Sequence, residues 1–578
     1  MPNAISQVGK FGVREVALDL DAILEGLDPD QQEVVKSIRG PVCVIAGAGT
    51  GKTRVVTHRI AYAVGSGITD ASHTLALTFT ARAAGEMRAR LRALGIPNAS
   101  ARTFHSAALK QLMYFWPYSL GGSFPSLLTM KSGFIGEAIG RADVPLAPQA
   151  AVLRDIAGEI EWAKSLEIPP DEYVENALGA GRTIRFPNNK ANKAALEDVS
   201  KVYQAYETLK RQERTIDFED VLLLTVGMLE EDRDVRDRIR DQFRYFTVDE
   251  YQDVSPLQQR LLNLWLGNRD DLCVVGDAAQ TIYSFAGASS SYLLTFPKRF
   301  PEAKVIRLTR GYRSTPEIIT SANAVLRQGN LHHESGFELS SVNDHGVVPA
   351  THGYENSDSE VSSVVDRIEA LIAGSKSFGD LDDLDDLDDL DLSGHLEIAI
   401  LARTNAQLAP FEQELRRRKI ATQIKSSERF FERVDVRDAM RVIRSASVLP
   451  TEGGDWYSDL SSVLRPFGEA DYVHAFLRLG RELQNNGAVS LRTFLRELED
   501  RAEQNNPPTL PGVMLATLHS AKGLEWDQVF LVGVSEGFLP MGNDVNEERR
   551  LFYVGLTRAK SQVHLSYSGT PSPFLQVL

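Results

Sequence analysis

The chain reads as an α/β protein of two parallel-sheet units, each broken by a helical insertion. Three features of the sequence say so. Short apolar runs of strand length recur at residues 42–45, 74–80, 245–249, 272–277, 304–308, 398–402 and 529–534. Such unbroken runs suit strands covered on both faces. Helix-compatible sequence separates consecutive runs, which is the alternation of parallel βαβ units. That alternation lapses twice, over about residues 106–214 and 450–510, where helical stretches replace it.

Bulk composition narrows the class. At 578 residues the chain exceeds the roughly 250–300 at which one core stops growing. Lys+Arg 63 against Asp+Glu 78 gives a net charge of −15, which argues against a uniformly basic nucleic-acid coat. A local basic groove remains compatible, since binding follows local charge. Two cysteines, Cys43 and Cys273, lie in apolar runs and read as buried, reduced thiols; two are too few for a zinc cluster. The first residues lack an apolar signal core and no run approaches a membrane span, so a cytoplasmic location without membrane partners is expected.

The chemistry concentrates in the segment 42–53, VCVIAGAGTGKT. It fits G-x-x-x-x-G-K-[ST], with Gly47 and Gly51 at the glycine positions. Residues Ala46, Gly47, Ala48, Gly49, Thr50, Gly51, Lys52, Thr53 and Arg54 thus form a candidate phosphate cradle. Backbone N–H groups can curl around phosphate oxygens, and the next helix adds the positive end of its dipole. Lys52 can reach the β/γ-phosphates and Thr53 can ligate Mg²⁺. Upstream, Asp28 and Pro29 open a short helix containing Gln31. Downstream, Asp249 and Glu250 end a strand, suiting a Mg²⁺ ligand and a base for the attacking water. Gln280 follows another strand end, placed to sense a γ-phosphate.

Five further segments occur in a telling order: DEYQD, GDAAQTIYSFAGA, YRSTPEI, TLHSAKGLEWDQVFLV and EERRLFYVGLTRAK. Together with the P-loop they resemble superfamily 1 helicases of the UvrD/Rep/PcrA type, from Gln31 to Lys560. The resemblance implies two RecA-like P-loop domains and an ATP- and Mg²⁺-dependent motor moving 3′ to 5′ on single-stranded DNA. Single strands and 3′-tailed duplex junctions would be its substrates, with a repair or replication protein as a partner. It implies that Gln31 reads adenine, Tyr312 stacks on it and Glu525 contacts ribose. Arg313 and Arg558 would act as arginine fingers. For DNA it points to Thr78, Phe79, Arg82, Thr103, Phe104, His105, Tyr283, Phe285, His519 and Lys522. Aromatic faces stack on bases whatever the sequence. Phe79 and Phe104 also follow strand patterns, and His105 and His519 also read as core histidines.

The expected domains are 1–105 with 215–300, an insertion 106–214, a second unit 301–449 with 511–578, and a short insertion 450–510. A repetitive Leu-Asp-Asp segment, 379–394, reads as a solvated acidic loop. The chain departs from the family at Ala286, where arginine is usual, at Phe285 for tryptophan, at Gly311 for asparagine, and at Ala81-Arg82 for Asn-Lys. None of these touches the phosphate chemistry. The Ala286 departure and the short second insertion leave a second reading open, a translocase that strips proteins from single strands and unwinds only with a partner. A nucleotide switch without useful hydrolysis is a further alternative, which both arginines and Glu250 argue against.

Overall fold

The computed structural model describes residues 18–186, 191–331, 336–374, 396–424, 430–447, 455–468, 470–485, 490–503, 507–508, 512–542 and 544–578. The acidic segment 379–394 lies outside these residues. Two six-stranded sheets, parallel throughout, organise the chain. In the first, the spatial order is Ser100–Thr103, Thr74–Thr78, Tyr245–Val248, Leu272–Gly276, Val42–Ala46 and Lys304–Leu308. In the second it is Ala350–Tyr354, Ala559–Ser568, Trp526–Leu531, Ile398–Ala402, Val513–Thr517 and Thr422–Ile424. Four strands of the first sheet and Ile398–Ala402 of the second have strongly apolar, deeply buried sequences, as helices on both faces require.

Topology builds the site. Val42–Ala46 and Tyr245–Val248 both flank Leu272–Gly276, although nearly 200 residues separate them in the chain. The turns that follow these three strands therefore meet at one end of the sheet, where α/β proteins bind ligands.

Three boundaries differ from expectation. Lys304–Leu308 pairs in register with Val42–Ala46, so the first sheet runs past the 300/301 division. Helix Phe104–Ser119 buries Ala108, Leu112 and Phe115 in the first core instead of opening the insertion; its apolar positions recur at helical spacing toward that core. The insertion's own core gathers Ile135, Ile156, Ile160, Tyr203 and Tyr206. Finally, Phe430, Val436, Met440 and Ile443 share a core with Trp456, Phe476, Phe494 and Leu498. The second insertion thus begins near 430 rather than 450.

The first insertion is locked down by charge. The Lys164 and Lys210 ammonium groups lie buried among Glu207, Asp217 and Asp220, with Lys164 donating to Asp217 at 2.7 Å and Lys210 at 3.0 Å. These three carboxylates are spaced like metal ligands, but the two lysines already supply the positive charge. Asp217 is held far below the usual carboxylate range: burial opposes this, and Lys164 and Lys210 prevail. Lys131 adds ion pairs to Glu161 and Glu219, both at 2.6 Å.

Candidate nucleotide site and nucleic-acid face

Gly51 stands in the left-handed region at φ 80° and starts helix Lys52–Gly65, while Gly49 has φ 73°. A Cβ on Gly49 would come within 2.9 Å of the Arg313 Cβ. The glycine therefore serves both the turn and the approach of the second body. Lys52 Nζ donates to the Ala46 carbonyl at 3.2 Å and to that of Gly47 at 3.4 Å, and Thr50 Oγ1 donates to Gly47 O at 2.9 Å. Gln31, buried, donates to Thr50 O at 3.0 Å and accepts from Asp28 N, so the upstream helix is tied to the cradle. Arg54 is exposed on the first turn of the P-loop helix.

Thr53 Oγ1 donates to Asp249 Oδ2 at 3.3 Å. This hydroxyl–carboxylate pair beside a phosphate cradle is a donor set that suits a hard divalent cation. Burial, then the adjacent Glu250, pushes the Asp249 carboxyl up. Glu250 sits in the left-handed region at φ 53°, an uncommon position for a non-glycine residue. It lies below its ordinary value: burial opposes this, while Lys52, Lys522 and the Gln252 amide hold it ionised. Gln252 Nε2 donates to Glu250 at 2.6 Å, and its Oε1 accepts from Asp277 N at 2.9 Å. Gln280 Nε2 in turn donates to Asp277 Oδ2 at 2.7 Å. Glu250 and Gln280, 30 residues apart, thus belong to one buried network.

The second body closes over this network. Tyr312 N donates to Gly49 O at 2.9 Å, and the half-exposed Tyr312 hydroxyl bonds Asp28. Arg313 Nε donates to Glu525 at 2.6 Å and its Nη1 to Thr557 O at 3.2 Å. Glu525 stays below its ordinary value because Arg313 outweighs burial. Arg558 is buried and donates to Val554 O, Leu524 O and Thr557 Oγ1 at 2.9, 3.2 and 3.1 Å. Burial and Arg313 pull it down to about 9, so it remains a cation at neutral pH. Apolar residues continue across the seam: Ala48, Ala279 and Ile282 pack with Ile318, Leu326 and Phe552.

The residues expected on DNA divide. Phe79 and Tyr283 stack with centroids 5.0 Å apart, and Phe285 meets Tyr283 at 6.1 Å and His519 at 5.6 Å. Phe79 and Phe285 are exposed at 38% and 51%, which leaves ring faces for a ligand. His519 is pushed down to about 4 by burial, Arg403 and Lys522, so it presents a neutral ring. Arg82 is exposed and paired with Glu86. Thr78 is buried, with a hydroxyl that finds no hydrogen-bond partner among the described residues. Thr103 caps helix Phe104–Ser119 through Ser106.

Phe104 and His105 follow the core reading that the sequence also allowed, and Lys522 sits differently from expectation. Phe104 is buried and stacks on Trp265 at 6.1 Å, so its apolar surface belongs to the core. His105 packs on Phe218 at 6.3 Å and is pushed down to about 4 by burial and then Lys131. Lys522 is buried in the seam, ion-paired to Asp253 and donating to Gln280 O at 2.6 Å. Sequence reasoning passed over Asp253, Gln252, Asp277 and Tyr553. The first three lie inside or beside recognised strand-end motifs. Tyr553, buried, packs in one apolar cluster with Ala48 of the P-loop, and its apolar surroundings in LFYVGL give no polar signal.

A P-loop with paired carboxylates, faced by arginines from a second parallel-sheet body, defines a two-domain P-loop NTPase. Residues 27–301 match the UvrD/REP helicase N-terminal domain, and residues 306–447 with 469–570 match the UvrD-like helicase C-terminal domain. The chain is 42% identical over 590 residues to ATP-dependent DNA helicase UvrD2 of Mycobacterium tuberculosis strain H37Rv, covering 96% of this chain and 80% of that one. It is 25% identical over 652 residues to ATP-dependent DNA helicase PcrA of Staphylococcus aureus strain NCTC 8325, covering 95% and 84%. The chain belongs to the UvrD/Rep helicase family.

Proposed function

We propose that this protein is an ATP-dependent DNA helicase that moves 3′ to 5′ along single strands, powered by closure of the seam between its two RecA-like bodies. The observation that carries the reading is the approach of the second body to the P-loop: Arg313 lies against Gly49, and Arg558 acts electrostatically on Glu250, beside the Thr53–Asp249 pair. The P-loop from Ala46 to Arg54 cradles the phosphates, Gln31 and Tyr312 hold adenine, and Glu525 takes the ribose. Lys52 holds the β/γ-phosphates. Thr53 and Asp249 would hold Mg²⁺, which supplies charge neutralisation on the phosphates. Glu250 removes the proton of the attacking water, and Gln280 positions it. Arg313 and Arg558 now spend their donors on Glu525 and on backbone carbonyls. Closure exchanges those partners for transition-state oxygens, and hydrolysis becomes tied to domain movement.

The Phe79–Tyr283–Phe285–His519 array, with Phe79 and Phe285 exposed, takes the bases, each stacked base contributing about 1–3 kcal/mol. We place the work in repair or replication, in the cytoplasm. Among the described residues no helix is long and apolar enough to cross a membrane. Steady-state hydrolysis with and without a single-stranded oligonucleotide, beside Lys52→Ala, tests the motor. Displacement of 3′-tailed against 5′-tailed duplexes tests polarity. Equal, low hydrolysis with and without DNA overturns the reading.

The compact second insertion favours one variant of this function, in which the monomer translocates and strips bound proteins but needs a partner to unwind. Strong strand displacement by dilute monomer alone refutes that variant.

A further inference from the structure

The aromatic loop 283–287 is tied by its backbone or side chains to two bodies besides its own. From the second domain, Glu547 accepts the Ser284 N–H at 3.0 Å and also bonds the Ser284 hydroxyl, while Tyr283 Oη donates to His519 O at 3.1 Å. From the first insertion, Ser165 Oγ donates to Ala286 O at 3.0 Å and Arg182 Nη1 to Phe285 O at 3.2 Å. Arg182 is itself fixed, bidentate on Glu159 and lying over the Trp162 ring at 4.3 Å. Gly287 has φ 90°, and a Cβ there would collide with Ser165 Oγ.

Glu547 stands on the first turn of helix Val545–Leu556. Tyr553, six residues on and about 9 Å along the axis at 1.5 Å per residue, packs in one buried cluster with Ala48 of the P-loop. Arg558 follows just beyond the helix. One rigid helix therefore touches the nucleotide cradle near one end and the aromatic loop at the other. Ala286 offers this loop no side-chain hydrogen bond, and the link runs through Ser284.

We propose that Glu547 is a positioning residue through which the nucleotide site sets the posture of Phe285 and Tyr283 on the DNA strand. The inference rests on the reading of the aromatic array as the DNA face. When the second domain shifts on nucleotide binding, Glu547 carries Ser284 with it. Arg182 and Ser165 meanwhile hold the next two carbonyls against the insertion, so the rings between them must turn.

The test measures the affinity of the full-length protein for an oligothymidylate, by fluorescence anisotropy, with and without a non-hydrolysable ATP analogue. The wild-type ratio of the two affinities should differ from one. Glu547→Ala should bring it toward one by about fivefold or more, with the KM for ATP nearly unmoved. Glu547→Gln, whose amide oxygen still accepts from Ser284 N, should restore most of the ratio. Ser284→Ala, which keeps the backbone N–H, should lose only part of the ratio, and combined with Glu547→Ala it should lose no more than Glu547→Ala alone. A wild-type ratio of one, or an unchanged ratio in Glu547→Ala, overturns the proposal. Phe285→Ala separates the causes. If it weakens oligothymidylate binding while Glu547→Ala leaves the ratio intact, the link is wrong and the DNA face stands. If Phe285→Ala leaves binding unmoved, the DNA face itself is wrong.

Discussion

Lys52 and His564 show how much a single side chain can decide. The Lys52 ammonium rests on two P-loop carbonyls and acts electrostatically on Asp249, Glu250, Asp253 and Asp277. Lys52→Ala removes the cation that meets the phosphates and should lower DNA-stimulated hydrolysis by about 10²–10³-fold in a steady-state assay. His564 lies far from this chemistry. It stacks on Phe530 with centroids 4.3 Å apart and is pushed down from 6.5 to about 4 by burial, Arg367 and His352. Between those two values the unfolded chain binds a proton that the folded ring refuses. Its contribution is therefore complete above pH 6.5 and is lost as pH falls toward 4. The thermal midpoint of the wild type should drop more steeply over that interval than that of His564→Gln.

At the scale of elements, the strands and caps were legible. The strands Val42–Ala46, Leu272–Gly276 and Ile398–Ala402 are buried and parallel because nothing polar interrupts their apolar runs. Asp28 and Pro29 start their helix as their residue types dictate, with Gln31 completing a capping box. The joint between the first insertion and its sheet was not legible, since Lys164, Lys210 and Asp217 look in sequence like any charged helix surface. Only packing makes them a buried cluster. Asp217→Asn keeps a side-chain oxygen for the helix cap but leaves two buried ammonium groups short of a charge. It should cost about 3–5 kcal/mol, read from the first transition in urea unfolding.

Across the whole molecule, specific ion pairs join the two bodies and the small insertion. Arg92 of helix Ala81–Ala93 pairs with the buried Glu497 of the second insertion at 3.3 Å, and Arg501 meets the same carboxylate at 2.9 Å. Lys522 reaches from the second domain to Asp253 and to the backbone of Gln280. Burial pushes Asp253 up to about 7, against the pull of Lys522. Lys522→Ala strips that carboxylate of its partner beside Glu250. DNA-stimulated kcat should fall about tenfold or more, while oligothymidylate affinity without nucleotide should change far less. A large loss of nucleotide-free affinity would return Lys522 to the DNA face.

Arg313 and Arg558 entered only through resemblance to the helicase family, while by itself the sequence determined the α/β class, the P-loop and the strand-end carboxylates. These depend on residue types at short spacing, where local geometry and phosphate chemistry leave few choices. The tertiary structure alone decided which side of the seam Lys522 serves, that Phe104 is core, that Lys304–Leu308 completes the first sheet, and that Glu547 grips the aromatic loop. Each of these depends on contacts between residues roughly 160–270 positions apart. Periodicity and motif spacing carry no information about such distant pairings; sheet order and domain packing create them.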